Sequence, residues 1–185
     1  SASSFGDVRR SGIIAIKLQA GDELLSVMAM TKGDDVIMAT KFGQSIRFKE
    51  ADIREMGRAA AGVMGMKLKK GDVVLGANAI NASNKDGEYL VMSSNGYGKK
   101  TKLKEYIVQK RGGSGIKTAE VTKKTGELMA SMVIGAEDSE VIAVSKQGQI
   151  IRTSLAEIST LGRQTQGVRI MKLREGDTVA SLTCL

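Results

Sequence analysis

Apolar residues in this chain fall in short runs bounded by glycine-containing turns. Asp35-Val36-Ile37-Met38-Ala39-Thr40 is one such run and predicts a buried strand. Lys41-Phe42-Gly43-Gln44 follows as a reversal, with glycine supplying the backbone angles of a tight turn. Ser45-Ile46-Arg47-Phe48 then alternates polar and apolar, as a half-buried strand does. Residues 49–61 are a polar connection in which Ile53 and Met56 read as buried pins. Gly62-Val63-Met64-Gly65-Met66-Lys67-Leu68 predicts a third strand, Lys69-Lys70-Gly71-Asp72 a hairpin turn, and residues 73–80 a fourth strand. Helix competes only for 54–61 and for Leu155-Ala156-Glu157-Ile158. Each is too short to stand alone as a helix, which leaves a turn or a short 3-10 piece.

The same order of elements returns. Gly12, Gly62, Gly115 and Gly167 each precede a β-branched residue and an apolar run, at spacings of 50, 53 and 52. Gly21-Asp22, Gly71-Asp72, Gly126-Glu127 and Gly176-Asp177 keep the same phase. Gly43, Gly96 and Gly148 are each followed four residues later by a cation: Arg47, Lys100 or Arg152. A period near fifty in a strand-rich sequence predicts bladed or stacked β architecture, and four strands per period is a propeller-blade count. The fold class expected is all-β, a propeller-like array of four-stranded blades in one domain. Three complete repeats occupy 34–80, 87–134 and 139–185, and a half repeat occupies 1–30. A half repeat poses a problem of closure, because a radial array that does not close leaves open strand edges.

Composition narrows the chemistry. Lys plus Arg is 28 and Asp plus Glu is 20, a net charge of +8, which favours polyanionic partners. The single cysteine, Cys184, permits no disulfide within the chain and suits a reducing cytoplasm. With no histidine and one cysteine, most hydrolytic triads and transition-metal sites are excluded. No run approaches the length of a membrane helix and no charged-then-apolar leader is present, so neither membrane nor secretion is expected. Residues 1–4 read as a linker.

The charge is concentrated. Residues 97–124 hold nine cations, Lys99, Lys100, Lys102, Lys104, Lys110, Arg111, Lys117, Lys123 and Lys124, against Glu105 and Glu120, a net +7. The loop before each third strand also repeats. Gly57-Arg58, Lys110-Arg111 and Gly162-Arg163 all place arginine four residues before the strand glycine, whereas the half repeat has Val8 there with Arg9 and Arg10 just after. Small residues let a backbone approach a phosphate, and an adjacent arginine can grip it with a bidentate fork. The alternative is that the glycines turn a corner and the arginine caps a carbonyl. Aromatic stacking platforms and a long recognition helix are both absent, so the contacts expected are with the backbone of a bent duplex.

The loop Gln109-Lys110-Arg111-Gly112-Gly113-Ser114-Gly115 resembles the seven-residue glycine- and arginine-rich box of the DNA gyrase A C-terminal domain family. Gly12-Ile13-Ile14, Gly21-Asp22-Glu23-Leu24, Asn95-Gly96-Tyr97-Gly98-Lys99-Lys100-Thr101 and Thr165-Gln166-Gly167-Val168 are similar to that family as well. Ser114 departs from the lysine usual in the box, and the loop lies in the second complete repeat and not near the start of the domain. It therefore reads as a degenerate copy, with the chain as the C-terminal portion of a longer array. The resemblance implies a β-pinwheel, a propeller variant whose neighbouring blades exchange strands. It also implies wrapping of duplex DNA in support of ATP-dependent negative supercoiling, and a cytoplasmic, nucleoid-associated place. The implied partners are duplex DNA, the rest of the gyrase A protein and the gyrase B protein in an A2B2 holoenzyme. ATP and Mg²⁺ would act elsewhere in that holoenzyme, with no cofactor in this chain. Tyr89, Tyr97 and Tyr106 sit within blade motifs and none matches the family's catalytic tyrosine, so no cleavage chemistry is expected. The residues expected to contact DNA are Arg47, Arg58, Lys99, Lys100, Lys102, Lys104, Lys110, Arg111, Lys117, Arg152 and Arg163. The competing readings are a topoisomerase IV C-terminal domain, a propeller-like protein-interaction scaffold and a regulatory enzyme domain.

Overall fold

The computed structural model describes residues 2–6, 8 and 10–185; Arg9 lies outside them. Each complete repeat opens with an antiparallel hairpin. These are β1 (Asp35–Thr40) with β2 (Gln44–Lys49), β4 (Glu88–Ser93) with β5 (Tyr97–Lys102), and β8 (Glu140–Ser145) with β9 (Ile150–Ser154). The fourth strand of each repeat returns to the far side of the first: β3 (Val74–Ile80) on β1, β7 (Leu128–Val133) on β4, and β11 (Val179–Cys184) on β8. A register shift recurs once per repeat at the end of the first strand, beside Thr40, Ser93 and Ser145.

The third strand leaves its own repeat. β6 (Ile116–Lys117) belongs by sequence to the second repeat but pairs with β2 of the first, and β10 (Val168–Arg169) of the third pairs with β5 of the second. The sheets are therefore ordered β3-β1-β2-β6 and β10-β5-β4-β7, while the last is three-stranded, β11-β8-β9. This exchange is the pinwheel variant of a propeller blade. The exchange between neighbouring blades that the resemblance implies is thus present at both junctions between complete repeats.

Two expectations are corrected. Residues 62–68 and the half repeat, residues 12–30, form no strand among the described residues. Many of their apolar side chains stay open to solvent, Ile14 72% exposed, Val27 84% and Met64 63%, whereas Met66 is buried and packs with Met30 against Val36, Ile46 and Phe48. The reason is pairing: an extended segment without a host strand has no ladder to satisfy its N–H and C=O groups. Two short 3-10 turns lie at Ala2–Phe5 and Ala82–Asn84, and three more recur at the same place in each repeat, Glu50–Asp52, Leu103–Glu105 and Leu155–Glu157. The turn at Glu50–Asp52 therefore falls just before 54–61 and not within it.

The core lies between blades. Ile37 and Ala39 of β1 pack with Tyr89 and Val91 of β4, and with Leu103, Tyr106 and Ala119. Leu90 packs with Val141, Leu155 and Ile158 across the next junction. β4 is buried on both faces for this reason, whereas β8 alternates buried and half-buried positions. β3, β7 and β11 touch one another from blade to blade, so they form the inner side of the array. β6 and β10 lie at the opposite edge of their sheets and form its outer rim. No helix among the described residues is long and apolar enough to cross a membrane.

Candidate nucleic-acid interface

The repeated motifs converge on the junctions between blades. Gly115 has φ +73°, and a Cβ there would sit 2.2 Å from the Ser45 carbonyl oxygen. Gly167 has φ +81° and would meet the Gly98 carbonyl at 2.5 Å. Glycine is required where the exchanged strand crosses directly over its host, and left-handed φ penalises any other residue as well.

The repeated arginines do the same kind of work. Arg58 Nη1 donates to the Ile14 carbonyl at 3.0 Å, Arg111 Nη1 to that of Met64 at 2.5 Å, and Arg163 Nη1 to that of Lys117 at 2.7 Å. Each acceptor is the residue two past the strand glycine of the preceding repeat, so one contact is made three times. Arg111 Nε also donates to the Asp52 carbonyl at 3.1 Å. Within the box-like loop, Gly112 N donates to the Gly65 carbonyl and the Gly113 carbonyl accepts from Lys67 N. Gln109 N is bonded to the Arg47 carbonyl. Carbonyl capping between blades is thus present at all three arginines, with Arg58 exposed and Arg111 and Arg163 half-buried. Lys110 and Ser114 are the exposed residues of the loop.

The cation four residues past each turn glycine is an ion-pair partner. Arg47 meets Asp35 at 2.6 Å with both side chains buried, and its Nη1 donates to the carbonyls of Leu103 and Tyr106 in the next repeat. Lys100 meets Glu88 at 3.1 Å and is largely buried. Arg152 pairs with Glu140 but is 64% exposed. Asp35, Glu88 and Glu140 each stand twelve residues before their cation, a spacing present in the sequence and not read there. Burial works against the Glu88 charge, yet hydrogen bonds from Thr160, Lys102 and Lys100 hold its carboxyl below the usual range.

Lys99 is also an internal strut. It is 1% exposed and its Nζ donates to the carbonyls of Gly162 and Arg163 and to Thr165 Oγ1, at 2.5, 2.7 and 3.0 Å. Burial pushes its ammonium down to about 8. Arg47, Lys99 and, to a large degree, Lys100 are thus withdrawn from the solvent-facing set, because a buried cation already satisfied by carbonyls or a carboxylate offers little to a phosphate. Lys117 pairs with Glu120. Lys102, which also reaches Glu88 at 3.1 Å, remains exposed, as do Lys104, Lys110, Lys123 and Lys124. Lys102 ends β5, and the other four lie on the connections that enter and leave β6. Tyr89 and Tyr106 are buried in the core, edge to face at 5.5 Å.

Comparison with known proteins agrees with this architecture. The family described as DNA gyrase C-terminal domain, beta-propeller, matches residues 1–29, 34–81, 87–134 and 139–185. The DNA gyrase A protein of Staphylococcus epidermidis is 40% identical over 182 residues, which is 98% of this chain and 20% of that protein. The solved structure of a DNA gyrase A C-terminal domain superposes with TM-score 0.85 at 30% identity, covering 95% of this chain and 59% of that one. The C-terminal domain of a DNA topoisomerase IV superposes with TM-score 0.89 at 25% identity, covering 98% of this chain and 56% of that one. The chain spans about a fifth of the curated relative's length and somewhat over half of each solved domain. With strand exchange at both junctions and a family match across all its repeats, this chain belongs to the DNA gyrase A C-terminal domain family.

Proposed function

We propose that this chain binds duplex DNA through its phosphates, bends it along the outer rim, and serves as a DNA-wrapping module of a gyrase A protein. In that role it works with the rest of that protein and with the gyrase B protein in ATP-driven negative supercoiling, and takes no part itself in strand cleavage. The observation that carries the reading is the group of exposed lysines at the end of β5 and on the connections on either side of β6, Lys102, Lys104, Lys110, Lys123 and Lys124. With Arg47 and Lys99 consumed inside the fold, this surface still keeps an excess of cations over Glu105 and Glu120. The kinship with gyrase A proteins and the sequence-blind character of lysine–phosphate contacts support the same conclusion. The topoisomerase IV domain overlays as well as the gyrase domain, so the fold alone does not separate the two; the higher identity to gyrase favours gyrase.

Affinity for a mixed-sequence duplex, measured by fluorescence anisotropy, tests the reading. Engagement of roughly 6–10 phosphates lowers affinity about 10³–10⁵-fold between 50 and 200 mM salt. A salt-insensitive complex, or none, refutes it.

A further inference from the structure

The junction between the second and third repeats contains a hollow of about 400 Å³ that none of the repeat motifs predicts. Tyr97 lines it. Strand exchange sets Tyr97 of β5 directly opposite Arg169 of β10. Arg169 Nη2 donates to the Tyr97 hydroxyl at 2.9 Å, and its guanidinium carbon lies 5.4 Å from the ring centroid. Lys124 Nζ lies over the same ring at 5.3 Å. Asn95 pins the chain carrying that lysine by donating to the carbonyls of Lys123 and Lys124. Lys172 and Arg174 complete the wall. The one carboxylate lining it, Asp177, accepts from Gln147 N and Thr178 N through Oδ1, while its buried Oδ2 has no hydrogen-bond partner.

The preceding junction shows what is distinctive. There the residue opposite Gln44 is Lys117, which is paired with Glu120. At the later junction the positions of Lys117 and Glu120 are taken by Arg169 and Lys172, so the internal neutralisation is replaced by two like charges. Four cations facing one engaged carboxylate repel one another unless an anion joins them.

We infer that this hollow is a seat for a backbone phosphate of the duplex, and that Tyr97 is the positioning residue that presents Arg169 to it. The inference rests on the DNA-binding reading above and deepens it. The aromatic ring and the phenol oxygen hold the guanidinium in place, so less side-chain freedom is lost on binding. The phenol accepts from Arg169 and keeps its own proton for a phosphate oxygen. The box-like loop, by contrast, has committed Arg111 and Gly112 to the neighbouring blade.

The test is anisotropy of the full chain with a fluorescein-labelled mixed-sequence duplex across a salt series. One variant combines Arg169→Gln, Lys172→Gln and Arg174→Gln. A charge-matched control combines Lys32→Gln, Lys49→Gln and Lys85→Gln, three exposed lysines around a different cleft. The hollow variant is expected to bind about tenfold or more weakly than the control, with the salt slope reduced by about one or more. Tyr97→Phe, which keeps every charge, is expected to weaken binding by about three- to tenfold. A thermal melt establishes that each variant is folded, and Arg169→Gln alone serves if Tyr97→Phe is not. Equal losses in the hollow variant and its control overturn the seat while leaving DNA binding intact. A wild-type chain without duplex affinity overturns the broader reading itself.

Discussion

Arg47 and Arg152 occupy the same position in their repeats and face opposite fates. Arg47 and Asp35 are both buried, and the guanidinium also binds two carbonyls of the next repeat. Removing one member of such a pair strands the other charge away from water, so Asp35→Ala is expected to cost about 3–5 kcal/mol in urea denaturation. Glu140→Ala removes the partner of an exposed arginine and is expected to cost about 1 kcal/mol or less. Equal costs would show that the blade interface does not decide the worth of the pair. The box-like loop offers a second contrast. Arg111→Ala loses hydrogen bonds to the Met64 and Asp52 carbonyls, which predicts a stability loss of about 1–3 kcal/mol. Lys110→Ala, at an exposed site, is expected to leave the melting temperature unchanged and weaken duplex binding. Measuring both quantities for both variants separates an arginine that joins blades from a lysine that meets DNA.

At the scale of the element, the exchanged strands are very short. β6 and β10 are two residues each, too few to hold a blade edge by ladder bonds alone. Close approach of the backbone compensates, and glycine makes it possible. Gly115→Ala drives a Cβ into the Ser45 carbonyl in a left-handed conformation, with an expected loss of about 2–6 kcal/mol from strain and overpacking. Gly12→Ala has the same positive φ with nothing within 4 Å, and is expected to cost only about 1–2 kcal/mol. Hydrogen exchange provides a direct check: Gly115→Ala should expose the amides of β2 and β6, while Gly12→Ala leaves them protected.

At the scale of the whole molecule, the two complete junctions bury the core between blades and leave cations at the rim. If that curved rim guides the duplex with a fixed hand, sealing nicked circular DNA in its presence shifts the linking number in proportion to bound protein. The expected result is such a shift, read on a gel after the protein is stripped away. Retarded mobility without a shift would mean that these blades hold the duplex without imposing a hand on it. The rim charge is uneven, because the first junction neutralises Lys117 with Glu120 while the second gathers Arg169, Lys172 and Arg174.

The hairpins, their turns and the period of the repeat were all legible in the sequence, because alternation of apolar residues and glycine-marked turns are local properties of the chain. β1, β4 and β8 lie where their apolar runs stand. The destination of the third strand was not legible from pattern alone. A run such as residues 62–68 carries strand-like composition whether or not a host edge is available, and pairing is a non-local event. The roles of the cations were likewise decided by tertiary structure. Arg47, Lys99 and Arg111 look like phosphate ligands when only their charge is considered, yet Arg47 and Lys99 are buried against a carboxylate or carbonyls, and Arg111 bonds a carbonyl, that only the neighbouring strand or blade brings within reach. Charge count is a property of sequence; which charges remain for a partner depends on what the fold has already used to neutralise them.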